Sequence, residues 1–176
     1  MNVVDRIKEQ HRLAMMQQLE ARPHRCRIMH LDKVKSVGII ASGLSERERE
    51  TLTIFSHDMD QRGIRVWVIE QPSEMEGHVD KYGLPKREDM QLFTSYHYDV
   101  LVDTTLGDEI YGPFVTLNTS STLRVGYGGE PPEANSFSPS GKGYWRIYDL
   151  MILGKGPFEM GKYLNDIIEY LRNIRK

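Results

Sequence analysis

A single cysteine, Cys26, stands in a chain of 176 residues. One thiol excludes an internal disulfide framework and any metal site built from several thiolates. Long apolar runs are missing too, for nothing approaches the roughly 18 consecutive apolar residues that would suggest a membrane span. The opening stretch, Met1-Asn-Val-Val-Asp-Arg-Ile-Lys-Glu-Gln10, mixes charges from the start. It has no apolar h-region, which argues against a signal peptide. Motifs that define chemistry are also scarce. There is no G-x-G-x-x-G, no Walker lysine and no G-x-S-x-G elbow. His11, His24, His30, His57, His78 and His97 show neither H-x-x-x-H nor H-E-x-x-H spacing, so zinc is not supported. These absences point to a cytoplasmic protein, with no metal and no identifiable cofactor.

What is present is ordinary in amount and uneven in placement. The apolar fraction is 39% and the charged fraction 27%, values of a globular chain long enough for one full core. The net charge of −2 conceals an asymmetry. Residues 1–35 hold eight Lys/Arg and four Asp/Glu, a balance of +4, and the remainder balances at −6. A basic arm on an acidic body suits contact with nucleic acid or an anionic surface. It equally suits an arm laid on its own body or on a second protomer. Arg22, Arg25 and Arg27 are the candidate partner-binding residues.

Periodicity divides the chain into a basic helical arm, residues 1–30, and one α/β domain, residues 31–176. Val4, Ile7, His11, Ala14 and Met15 make a weak helical stripe from about Asn2 to Arg22, which Pro23 stops. So poor a stripe predicts an exposed or partner-dependent helix. Strands are predicted at Val37–Ala41, Ile64–Glu70, Tyr98–Asp103, Leu123–Gly126 and Arg146–Leu153. Between the first two, Ser45 and Glu48 form a capping box before a helix carrying Leu52, Phe55 and Met59. A short helix is predicted near Lys86–Phe93, and another around Pro113, running to about Thr119. The last helix has the clearest stripe: Met160, Tyr163, Leu164, Ile167, Ile168, Leu171 and Ile174.

Such alternation predicts a three-layer, Rossmann-like α/β domain with a mostly parallel sheet of about five strands, ordered 2-1-3-4-5. Ligands of such sheets sit past the carboxyl ends of the strands, where the strand order reverses. Ser42-Gly43-Leu44-Ser45 and Asp103-Thr104-Thr105 through Asp108 would wall that crevice, with Gly126 nearby. The first turn leads into a helix start, where free amides favour a phosphate, although Ser45 is also a natural N-cap. Asp103 and Asp108 suit a divalent cation or a sugar hydroxyl, or else simply accept amides in the next turn. The Gly-, Pro- and Ser-rich residues 127–143 form an irregular insertion, either a lid over the crevice or a plain surface loop. Basic neighbours of Cys26 would lower its pKa, although a bystander thiol fits as well.

Two resemblances follow from these segments. Ser36-Val-Gly-Ile-Ile40, Tyr98-Asp-Val-Leu-Val-Asp103, Ser121-Thr-Leu-Arg-Val-Gly126 and Tyr148-Asp-Leu-Met-Ile152 come in an order similar to a bacterial domain-of-unknown-function family with a Rossmann-like fold. That resemblance spans the whole layout and implies no activity. A more distant likeness is to the N-terminal half of heptosyltransferase-like glycosyltransferases, through Asp99, Val100, Leu101, Val102, Asp103, Arg124 and Gly126. This chain has Gly43-Leu44-Ser45 where those enzymes carry a glycine-aspartate turn, and it has no second half. The likeness implies the fold and argues against glycosyl transfer.

Two functional expectations remain. One is a non-catalytic interaction or scaffold module, self-associating or docking through the arm. The other is a small-ligand protein or enzyme acting on a phosphorylated or sugar-nucleotide-like compound at the crevice. No nucleophile, base and orienting group come together in the sequence, which favours the first.

Overall fold

The computed structural model describes residues 2–105, 110–128 and 146–175. Asp108 and most of 127–143 lie outside these residues. Helix α1 (Val3–Glu20) is capped by the Asn2 side chain, which accepts from the Asp5 amide at 2.8 Å. The arm then passes a short 3₁₀ turn at Leu31–Lys33 into strand β1 (Ser36–Ser42). Next in order come α2 (Glu46–Gln61), β2 (Arg65–Gln71), α3 (Arg87–Thr94), β3 (His97–Asp103) and α4 (Tyr111–Asn118). Then follow β4 (Ser120–Gly128), β5 (Leu150–Leu153) and α5 (Met160–Asn173).

All five strands run parallel in the order β2-β1-β3-β4-β5. Parallel strands are buried on both faces, which explains why β1 and β3 read as apolar runs without alternation. Ile39, Val100, Val102, Leu123 and Val125 build one core with α2 and α5. Ile40, Tyr98 and Leu101 build the other with α1, α3 and α4. The result is three layers with an N-terminal helix. In α4 every residue from Tyr111 to Leu117 is buried, as expected of a helix apolar all round.

Two boundaries and the burial of the first helix depart from the sequence reading. Arg146 and Ile147 form a 3₁₀ turn, and the fifth strand begins only at Leu150. Tyr148, between that turn and the strand, donates its hydroxyl to the Asp103 carboxylate. Strand β4 starts three residues earlier than Leu123, because Ser120 and Ser121 pair with His97 and Tyr98 of β3 although they have no apolar pattern. Helix α1 is anchored by its second half, where Met16 and Leu19 are buried in the second core, while Val3, Val4 and Ile7 remain exposed.

Candidate functional site

Ile40 of β1 stands opposite Asp103 of β3 in parallel register, so Ser42 and Asp103 open on the same rim, where the strand order reverses. On the β1 side, Gly43 takes φ +57, a left-handed turn that glycine adopts without strain. Ser45 then caps α2. Its hydroxyl accepts from the Glu48 amide at 3.3 Å, and its own amide and hydroxyl donate to Glu48 Oε2 at 2.8 and 2.7 Å. These bonds hold the Glu48 carboxyl below its ordinary value. The Leu44 amide donates to Glu70 Oε1 at 3.3 Å, and Arg49 grips Glu70 with both guanidinium nitrogens at 2.7 and 2.8 Å. Glu70 and Glu48 therefore take the Leu44 and Ser45 amides of the turn, and the Ser45 hydroxyl takes the Glu48 amide.

On the β3 side Asp103 is 2% exposed. Its Oδ1 accepts from the Thr105 amide and hydroxyl at 2.8 and 2.7 Å, and Oδ2 accepts from Tyr148. Thr104 donates through both amide and hydroxyl to the Ile40 carbonyl, at 2.9 and 2.8 Å. The Asp103 carbonyl takes the Tyr163 hydroxyl at 3.1 Å. Gly112 in the first turn of α4 lies so close that a Cβ there would collide with the carboxylate and with Thr105. Burial pushes the Asp103 carboxyl up, and the bonds from Tyr148 and Thr105 pull it partly back. Tyr148 and Tyr163 are raised as well, first by burial and then by the Asp103 charge. Asp103 thus ties the end of β3 to α4, α5 and the segment before β5. Three donors already satisfy its oxygens, and among the described residues no group of three His, Cys, Asp or Glu is placed to hold a metal. Gly126 is likewise a packing position, since a Cβ would come within 2.8 Å of Met151 and Tyr148.

Motif reasoning missed the opposite rim. At the amino ends of β3 and β4 a cleft of about 500 Å³ is lined by Arg22, His24, Arg25, His97, Arg124 and the polar run Asn118–Thr122. The arm is held here by its main chain, the Arg27 amide donating to the Thr122 carbonyl at 3.1 Å. His24 meets Asp149 at 2.8 Å, and Asp149 accepts the Arg124 amide at 2.7 Å while donating its own amide to the Arg124 carbonyl at 2.8 Å. His97 bridges the Ser120 and Thr122 hydroxyls at 2.7 and 2.9 Å. The Ser121 hydroxyl and Arg124 Nε are buried, and among the described residues neither has a partner. Burial pushes the Arg124 guanidinium down from its ordinary value, while Asp149 and Tyr148 hold it up.

Of the sequence candidates, Ser42, Gly43, Ser45, Asp103, Thr104, Thr105 and Gly126 gather toward the carboxyl ends of the strands. Arg22 and Arg25 line the amino-end cleft, and Arg27 adjoins it through its main chain. Cys26 is exposed, and its thiol is raised by desolvation and by the nearby Asp149 charge rather than lowered by its basic neighbours. The advance signs of this cleft were Arg22 and Arg25 of the basic arm, while the polar run Asn118–Thr122 carried no motif. No family model matches the chain, and no curated protein matches it.

Proposed function

We propose that the chain is a non-catalytic α/β interaction module, acting in the cytoplasm, that docks a partner through its N-terminal arm. The observation that carries this reading is the split character of α1. Met16 and Leu19 lock its second half into the core at 3% exposure each, whereas Val3, Val4 and Ile7 stand 75%, 59% and 55% exposed on its first turns. An anchored helix with an apolar tip is a preorganised binding element, and preorganisation lowers the cost of association. Bonds within the chain at Asp103 and Ser45 support the non-catalytic side of the reading. Among the described residues no helix is long and apolar enough to cross a membrane.

The test is a Val3→Asp/Ile7→Asp double variant, with light scattering for self-association and affinity capture for other partners. The expected outcome is loss of the partner at unchanged melting temperature, because both positions are exposed. Full retention of every partner would remove the arm tip as the interface.

A second reading, a protein binding a phosphorylated or sugar-nucleotide-like compound at the carboxyl-end crevice, is supported by the buried, raised Asp103 at the strand-order reversal. It predicts a rise in melting temperature with sugar nucleotides and magnesium that disappears in Ser42→Ala. A flat thermal-shift screen counts against it.

A further inference from the structure

We propose that the amino-end cleft, bounded by the arm, the end of α4 and the start of β4, binds a phosphoryl group. The site lies at the opposite rim from the crevice of the second reading. It stands apart from the docking of the α1 tip, so either proposal can fail alone.

Charge is the first argument. Arg22, Arg25 and Arg124 contribute three guanidinium groups to the lining, and Asp149, bonded to His24 and to the Arg124 amide, supplies the nearby carboxylate. The balance of +2 matches a phosphate dianion. Arginine forks suit the oxygens of a phosphoryl group better than a point charge does.

Unsatisfied donors are the second. Ser121 lines the cleft at 6% exposure, and its buried hydroxyl has no partner among the described residues. Arg124 Nε shares that condition. Buried polar atoms are nearly always paired, so a hydroxyl and a guanidinium nitrogen left over on two residues that line one cleft favour an acceptor there. A phosphate offers only acceptors.

The end of α4 meets part of the main objection. A helix carboxyl terminus presents bare carbonyls that repel an anion. Here the Asn118 side chain donates to the Phe114 carbonyl at 2.9 Å, the Thr119 hydroxyl to Val115 at 2.7 Å, and the Thr119 amide to Thr116 at 3.3 Å. The Phe114, Val115 and Thr116 carbonyls are thereby covered. The cleft volume of about 500 Å³ exceeds what a bare oxyanion needs and lies within the usual range for small-molecule sites.

The experiment titrates the full chain with inorganic phosphate, with adenosine 5′-monophosphate and with an oligoglutamate peptide, at ionic strength matched with chloride. Calorimetry and backbone amide shifts of residues 118–124 are the readouts. Both phosphates are expected to bind and to perturb those amides, and chloride and the peptide are not. Tighter binding of the nucleotide assigns the site to a phosphomonoester, and equal binding assigns it to free phosphate. Either result supports the proposal. Arg22→Ala/Arg25→Ala, two exposed positions, should weaken phosphate binding at least ten-fold with an unchanged ligand-free melting temperature. Ser121→Ala should weaken it several-fold. Absence of phosphate binding, undiminished binding in the arginine double variant, or preference for the peptide overturns the proposal.

Discussion

Asp103 illustrates what burial does to a single side chain. Its carboxyl is sealed from water and raised by desolvation, while Thr105 and Tyr148 donate to it. Above the ordinary carboxylate value the unfolded chain gives up this proton while the native chain keeps it. The native state then binds more protons, so this group's share of stability falls as pH rises, until the native carboxyl ionises as well. Denaturation of wild type and Asp103→Asn from pH 4 to 8 checks the sign. The wild type should lose stability relative to the variant as pH rises across that window, since asparagine has no proton to release. Parallel curves would show that Asp103 has the same proton affinity in both states. Gly112 belongs to the same cluster, because only a residue without Cβ lets α4 start against that carboxylate. Overpacking of this kind costs about 1–3 kcal/mol.

At the scale of elements, the two ends of α1 have different tasks. Its first residues are exposed through Ile7, whereas Met16 and Leu19 fill the second core beside α4. Each buried side chain of this kind contributes about 2–5 kcal/mol when deleted to a small residue. Removal of residues 1–7 should therefore leave the melting temperature within a few degrees of the full chain. Removal of residues 1–27 should unfold the protein or lower its melting temperature sharply. A calorimetric scan of both truncations decides the matter, and equal stability of the two would contradict the packing of Met16 and Leu19. Helix α2 is more self-sufficient. Its Ser45–Glu48 box satisfies the helix start locally, a contribution of about 1 kcal/mol that needs no tertiary partner.

For the whole molecule, the layout was legible in the chain because its causes are local or periodic. Apolar runs announced β1 and β3, the capping box announced α2, and the stripe from Met160 to Leu171 announced α5. Their alternation sufficed for a parallel sheet in the order 2-1-3-4-5. Other features were not legible. Ser120–Thr122 carried no strand signal, because hydroxyl side chains in a strand have no apolar pattern to reveal them. The α1 stripe looked too weak to bury, because only its last two turns are covered. Asp149 and His24 lie far apart in sequence, and nothing local predicts that they meet at 2.8 Å. By itself, then, the order of residues determined which segments become helix and strand and how the strands line up, since burial on two faces or one leaves a periodic mark. Only the tertiary structure decided that Asp103 is spent on Tyr148 and that the Ser121 hydroxyl and Arg124 Nε are left over among the described residues. Hydrogen-bond pairing depends on distances between residues remote in the chain, and no periodicity records those.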